Sequence, residues 1–358
     1  MSEAIRVFIL AAGRGERLRP ISDHIPKPLV PVLGMPMLEG ILERVVELAH
    51  DGMGMNLNYK REIIEDWINS SDRWKSISLF PEEPVLGTGG ALKNAEKFLS
   101  GHPFLVHNSD IISDIDLNAL VEFHLKSRNI ATLAVHDYPR HNNLCIDSEG
   151  IFKMIGFGYC LPARSLMKVA FTGIAVYSPE FLSFIPDGES SVVEAWEKAA
   201  NAGNRVGTFD VTGCSWSDIG NPVSYATAVF EGLRSDGENV FIHPKANGCE
   251  NSRMNGYIVL EDGCTVEHSS FLKNCIVLPG GKTKGGNRYE NCIVGPGLKI
   301  DLTEKDIFEK SVDRGKILIG TGGSDRKYYR AVKGSDTVVI MQCGKDDEEF
   351  DRHIEYSH

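Results

Sequence analysis

Apolar positions at the start of the chain run almost without a polar break. Ile5-Arg-Val-Phe-Ile-Leu10 holds one charge, and so continuous a run suits a strand buried on both faces of a parallel sheet. Further runs of strand length lie at Ile77–Phe80, Phe104–His107, Ile130–Val135 and Ala170–Val176. Between them apolar residues recur at helical spacing in Leu38–Ala49, Gly90–Phe98, Leu117–Arg128 and Ser191–Asn201, and Gly52-Met-Gly54 reads as the stop of the first. Strands alternating with helices at short spacing predict an open α/β sheet with helices on both faces, placed at residues 1–232.

The pattern changes after Leu233-Arg-Ser-Asp-Gly237. From Val240 to Gly297 glycine and small polar residues separate single aliphatics, and VLEDGC, TVEHSS, FLKNCI and VLPGGK each carry an aliphatic near the start. Six-residue segments of this kind predict a short left-handed β-helix over residues 233–300, with about three coils. Lys282–Arg288 (KTKGGNR) reads as a break in it. From Asp301 the chain turns polar and helical; Ile317–Ala331 and Thr337–Met341 then read as strand, glycine-rich turn and strand, and Asp346–Tyr356 as a charged helix. Residues 301–358 are therefore expected to form a small α+β tail.

Composition narrows the class. With 42% hydrophobic and 24% charged residues, the chain falls outside disordered and fibrous proteins. No apolar run reaches the ~18 residues of a membrane span, and the first residues lack a signal-peptide pattern, so a cytoplasmic protein without membrane contact is expected. A formal charge of −11 argues against nucleic acid as a partner. The eight cysteines are scattered, with no CxxC pair, and read as reduced and structural.

Against that acidic background the N-terminus is locally basic. Between Ala11 and Pro28, Arg14, Arg17, Arg19 and Lys27 outnumber Glu16 and Asp23. They lie in Leu10-Ala-Ala-Gly-Arg-Gly-Glu-Arg-Leu-Arg-Pro20, Pro26-Lys-Pro-Leu29 and Pro31-Val-Leu-Gly-Met-Pro36. Gly13 and Gly15 let backbone N–H groups approach phosphate oxygens without a Cβ collision. Arg17 offers a fork of donors and Lys27 a point charge, which suits a triphosphate. A dinucleotide loop would read GxGxxG where this one reads GRGERL, and a plain turn with solvated arginines leaves the Pro-Lys-Pro unexplained.

These motifs resemble those of the sugar-1-phosphate nucleotidyltransferases, whose signature is LAAGxGxRLxP followed by PKPLxPVxGxPxL. The resemblance implies a Rossmann-like open mixed sheet, the nucleotide-diphospho-sugar transferase fold. It implies that Leu10, Ala11, Ala12, Gly13 and Gly15 hold a nucleoside triphosphate, and that Arg17 and Lys27 act on the reacting phosphates. Glu83-Pro-Val-Leu-Gly-Thr-Gly-Gly-Ala-Leu92 is similar to the family's LGTGGAL loop, so Glu83, Gly87, Thr88 and Gly89 are expected at the nucleotide. Phe104–Asp110 ends a strand in a carboxylate, with Ser109 where the family has glycine, and Trp216-Ser-Asp-Ile-Gly220 looks like its W-x-D-[IV]-G. Asp110 and Asp218 are thus expected to share one Mg²⁺ with phosphate oxygens. Asn108, Thr172 and Gly173 of Phe171-Thr-Gly-Ile174, and Glu194, are the candidates for sugar contacts. The family's E-K-P lysine is absent, since Gly156-Phe-Gly158 follows Ile155. That departure brings the chain closer to the subset that resembles mannose-1-phosphate guanylyltransferases and N-acetylmuramate-1-phosphate uridylyltransferases.

The implied partners are a nucleoside triphosphate and a sugar 1-phosphate, joined by direct displacement with pyrophosphate leaving. No nucleophilic triad is needed, and His24, His107 and His136 read as structural. Ile319–Arg330 looks like the nucleotide-covering hairpin of aminoglycoside phosphotransferase and choline kinase relatives. The catalytic loop of such a kinase does not follow, so no kinase activity is expected and the chain reads as part of a bifunctional parent. The β-helix flank offers a surface for homo-oligomers. Two other functions fit the same residues: a sugar-nucleotide-binding regulatory subunit, and transfer to another alcohol phosphate such as phosphocholine.

Overall fold

The computed structural model describes residues 5–139, 141–155 and 166–303, and the backbone of strands 317–321, 327–333 and 336–342. It divides into two compact units, one ending at Asp301 and the other beginning at Leu302.

The first unit opens with strands β1 (Arg6–Leu10), β2 (Met53–Leu57), β3 (Ser78–Pro81), β4 (Phe104–Asn108), β5 (Ile111–Ser113) and β6 (Ala131–His136). They are followed by β7 (Leu144–Ile146), β8 (Phe152–Ile155), β9 (Met167–Tyr177), β10 (Val206–Asp210) and β11 (Trp216–Asp218). All but β5 and β11 form one nine-stranded sheet in the order β8-β7-β9-β4-β1-β2-β3, with β6 beside β9 and β10 beside β6. β4, β1, β2 and β3 run parallel, and β9 is antiparallel to β4 and β6, so the sheet is mixed and open as expected.

Alternation along β1 divides the core between the two faces. Val7 and Ile9 pack with helix α1 (Met37–Val45), α2 (Arg61–Asn69) and α4 (Leu117–Lys126), whereas Phe8 packs with α3 (Gly87–Asn94) and α5 (Val192–Asn201). Each such fully buried side chain contributes about 1.5–3 kcal/mol relative to exposure.

Three expectations change at this level. Gly52–Gly54 does not end a helix before a loop: Met53–Leu57 (MGMNL) is a buried central strand beside β1. Gly54 is there because a Cβ would meet Phe98, Phe8 and Phe80 at 2.8, 2.9 and 3.1 Å. The helix expected over Gly90–Phe98 begins earlier, at Gly87, and breaks after Asn94. Cys145 is disulfide-bonded, not reduced, while Cys214, Cys249, Cys264, Cys275 and Cys292 are free thiols.

Helix α6 (Pro222–Ser235) leads into a parallel β-solenoid of β12 (Val240–Ile242), β13 (Arg253–Leu260), β14 (Thr265–Val266), β15 (Phe271–Val277), β16 (Lys282–Thr283) and β17 (Arg288–Gly295). Val240 pairs with Ile258, Ile258 with Cys275 and Cys275 with Cys292, so each coil takes 17 or 18 residues, about three hexapeptides. Lys282–Arg288 does not break the pattern. Lys282 and Thr283 lie in register beneath Thr265 and Val266, with Thr283 buried and bonded to Ser270. β18 (Leu298–Asp301) closes the last coil antiparallel to β17.

The second unit shows β19 (Ile317–Thr321), β20 (Lys327–Lys333) and β21 (Asp336–Gln342) as an antiparallel meander. The expected glycine-rich turn at 322–326 and the charged helix at 346–356 lie outside the described residues. Among the described residues no helix is long and apolar enough to cross a membrane.

Candidate active site

The ends of β1 and β4 lie side by side, with Leu10 opposite Asn108 and the Ser109 N–H donating to the Leu10 carbonyl at 3.0 Å. The glycine loop and Asp110 therefore leave neighbouring strands at one edge, where open α/β sheets bind their ligands. Gly13 faces open space, a Cβ there meeting nothing within 4 Å. Gly15 has φ of 63°, and its Cβ would meet Ser22 Cβ at 3.2 Å and Lys27 Cβ at 3.3 Å. Glycine at this position thus lets Lys27 pack against the loop.

Lys27 and Asp110 meet at 2.5 Å, with side chains only 11% and 24% exposed. A two-stranded ribbon brings in the second carboxylate. β11 runs antiparallel to β5, setting Asp218 opposite Ile111, and the Ile219 N–H donates to the Asp110 carbonyl at 2.9 Å. Burial first, and then the charge of Asp110, push the Asp218 carboxyl above its ordinary range, against the pull of Lys27, Arg17 and His141. Asp218 Oδ1 is buried and has no hydrogen-bond partner among the described residues. Arg17 stands at the rim, its Nη2 3.2 Å from where a Gly220 Cβ would be, whereas Arg14 and Arg19 form exposed pairs with Glu16 and Asp23.

A second loop is tied to the first through buried polar groups. The Ala11 N–H donates to Asn56 Oδ1 at 2.7 Å, Asn56 Nδ2 to Glu82 Oε1 at 2.7 Å, and the Leu86 N–H to Glu82 Oε2 at 2.9 Å. Burial raises the Glu82 carboxyl above its ordinary value. Glu83 is exposed; its neighbour Glu82 joins the two loops. Gly87, Gly89 and Gly90 pack on residues 188–191, where their Cβ atoms would meet Ser190 O at 2.5 Å, Ser190 Oγ at 2.8 Å and Gly188 O at 2.3 Å. Thr88 Oγ1 accepts the Val192 N–H at 3.0 Å, at the start of α5. Close packing between segments accounts for this glycine run.

On the acceptor side Gly173 has φ of 82° inside an irregular stretch of β9, and its Cβ would meet Asn108 Nδ2 at 2.8 Å. Thr172 departs from expectation. Its hydroxyl is buried and donates to the Ala134 carbonyl at 2.9 Å, while its own carbonyl accepts Trp216 Nε1 at 2.9 Å. Glu194 is exposed in the first turn of α5, where a carboxylate favours a helix N-terminus. Behind Thr172 lies a packed aromatic cluster around the buried Trp216. Tyr138 and His141 lie 5.6 and 5.8 Å from the Trp216 ring, and His136 stacks on it at 6.4 Å.

The family model described as Nucleotidyl transferase matches residues 6–233. The chain belongs to the nucleotidyl transferase family. Mannose-1-phosphate guanyltransferase of Hypocrea jecorina is 27% identical, over 93% of this chain and 99% of that protein. N-acetylmuramate alpha-1-phosphate uridylyltransferase of Neisseria meningitidis is 30% identical, over 60% of this chain and 93% of that protein. Among solved structures, HddC of Yersinia pseudotuberculosis complexed with GMP-PN is similar at a TM-score of 0.53 and 26% identity, covering 63% of this chain and 99% of that one.

Within this transferase unit the structure brings Lys27, Asp110 and Asp218 together, with Arg17 at the rim and Asn108 beside Gly173. Asn56 and Glu82 are the additions. The stretch Gly156–Gly158, where the E-K-P lysine is missing, lies outside the described residues.

Among the described residues no group of three or more His, Cys, Asp or Glu side chains is arranged to hold a metal. Two carboxylates remain, and they fit a cation: Asp218 has a buried oxygen without a donor among the described residues, and the charge of Asp110 raises the cost of its own.

Proposed function

We propose that the chain joins a nucleoside triphosphate to a sugar 1-phosphate, giving a nucleotide sugar and pyrophosphate. The observation that carries this reading is the meeting of Lys27, Asp110 and Asp218, one buried Asp218 oxygen lacking a donor among the described residues, at the strand edge where the glycine loop opens.

In this reading the nucleotide phosphates lie along Leu10–Gly15, in the space over Gly13. Lys27 offers its ammonium to the reacting phosphates while Asp110 fixes its position. Arg17 at the rim donates its fork to the departing pyrophosphate. An oxygen of the sugar phosphate attacks the α-phosphorus, the bond from that phosphorus to the bridging oxygen breaks, and the electron pair leaves with pyrophosphate. The attacking phosphate is already ionised, so no general base is required. Rate then comes from positioning and from charge complementarity in the transition state. Asp110 and Asp218 would hold a Mg²⁺ ion, which when bound neutralises phosphate charge.

Transfer to another alcohol phosphate is the alternative. Phosphocholine therefore belongs in the same test. The test is pyrophosphate release with Mg²⁺ across nucleoside triphosphates, paired with mannose, glucose and N-acetylmuramic acid 1-phosphates and with phosphocholine. Release that needs one sugar phosphate is the expected result. Release with phosphocholine alone replaces the acceptor, and nucleotide binding without release from any pair overturns the proposal.

A further inference from the structure

The hairpin that follows Lys27 is held from outside the catalytic sheet. Its strands, Pro31–Val32 and Met35–Pro36, are joined by Leu33 and Gly34, whose φ angles are 53° and 82°. A two-residue turn of this hand needs positive φ at both positions, which glycine adopts freely and leucine at a cost of about 1–2 kcal/mol. Leu33 stays there because its surroundings hold it. A Cβ at Gly232 would meet Leu33 Cδ1 at 3.1 Å, and one at Gly34 would meet Phe241 Cζ at 2.7 Å and His243 Cδ2 at 3.3 Å, so α6 and the first solenoid coil both close on the turn. Tyr225 of α6 donates its hydroxyl to the Pro31 carbonyl at 2.7 Å.

The polar grip comes from the solenoid. Glu261, fully buried in the turn after β13, accepts the Gly34 N–H at 3.0 Å on Oε2 and 3.3 Å on Oε1. The ionisable groups around it are Asp262, Tyr225 and Cys264, and Asp262 in turn faces His243 at 3.6 Å and Lys245 at 3.4 Å. Little slack separates this grip from Lys27. The Val30 N–H bonds the Lys27 carbonyl at 3.2 Å, and the Met37 N–H closes the hairpin on the Val30 carbonyl at 3.1 Å.

We propose that Glu261 is a positioning residue for nucleotidyl transfer, fixing the Leu33–Gly34 turn from the solenoid and thereby the place of Lys27. This rests on the reading of Lys27 given above. Burial pushes the Glu261 carboxyl up to about 7 from an ordinary 4.5. A released, solvated carboxyl would return to the ordinary value, so deprotonation favours release and the grip weakens as pH rises toward and through 7.

Amide hydrogen exchange on the full chain reads the grip without any substrate. In Glu261→Ala the Gly34 amide loses protection, and the Leu29 and Val30 amides are expected to exchange about tenfold faster, with Glu261→Gln restoring both. The kcat for pyrophosphate release is expected to fall about tenfold in Glu261→Ala at a temperature where it remains folded, and to recover in Glu261→Gln. If Glu261→Ala does not fold, wild type and Glu261→Gln decide the matter. Between about pH 5 and 8 the protection of Leu29 and Val30, corrected for intrinsic exchange, falls in wild type and stays level in Glu261→Gln. Loss confined to Gly34, with Leu29, Val30 and kcat unchanged, overturns the proposal, as does equal pH dependence in the two proteins. Should wild type release no pyrophosphate with any pair, the reading of function fails while the exchange experiment still decides the grip.

Discussion

Lys27 stands between a carboxylate that it neutralises and a glycine that leaves room for its Cβ. Lys27→Met keeps the stem and removes the charge. Its kcat for pyrophosphate release is expected to fall by about 10²–10³ while the circular dichroism spectrum stays that of wild type. An unchanged kcat would remove Lys27 from the site. The motifs that resemble the family's put Arg17, Lys27, Asp110 and Asp218 forward as candidates, and the structure brings the last three together. Thr172 and Glu83 show where the legibility of such motifs ends. A motif names a stretch of chain, but whether a side chain faces the cleft or the core is decided by strand register and by the irregularity around Gly173. Asn56 and Glu82 were hidden for a related reason. Their value lies in a relay between two loops distant in sequence, which no local pattern announces.

Among the elements, the parallel strands with aliphatic runs were readable and β2 was not. Met-Gly-Met-Asn-Leu lacks β-branched residues, and its glycine reads as a stop until Phe8, Phe80 and Phe98 are seen crowding it. Gly54→Ala places a methyl group within 3.1 Å of all three rings and is expected to cost about 1–3 kcal/mol, read from urea unfolding at constant m. A variant as stable as wild type would mean that the rings yield. The Lys282–Arg288 stretch teaches the converse lesson. Lysines and glycines looked like a break, yet a solenoid coil needs only one inward side chain per short strand, and Thr283 supplies it while Lys282 points out. The glycine run at 87–90 shows that a motif's glycines can answer to packing within the protein, here against residues 188–191.

On the scale of the whole molecule, the catalytic sheet and the solenoid share one compact unit, and buried titratable groups tie its stability to pH. His107 and His124 are both buried, and burial pushes each imidazole down to about 4. Both fold neutral and take up protons only on unfolding, so they contribute stability above about pH 6.5 that is lost as pH falls toward 4. Denaturant unfolding across that window should show stability falling with a slope of up to about 2.7 kcal/mol per pH unit from this pair. A profile unchanged when both histidines are replaced by glutamine would mean that neither ring folds neutral.

The central claim is that the paired carboxylates and Lys27 form the centre of nucleotidyl transfer. The initial rate of pyrophosphate release by wild type, Asp110→Asn and Asp218→Asn, each with the substrate pair that wild type uses, tests it most directly. Both variants are expected to fold, and Asp218→Asn to melt no lower than wild type, since it removes a charge that burial and Asp110 disfavour. Release should fall by at least about 10² in each. A rate near that of wild type in either variant would contradict the account.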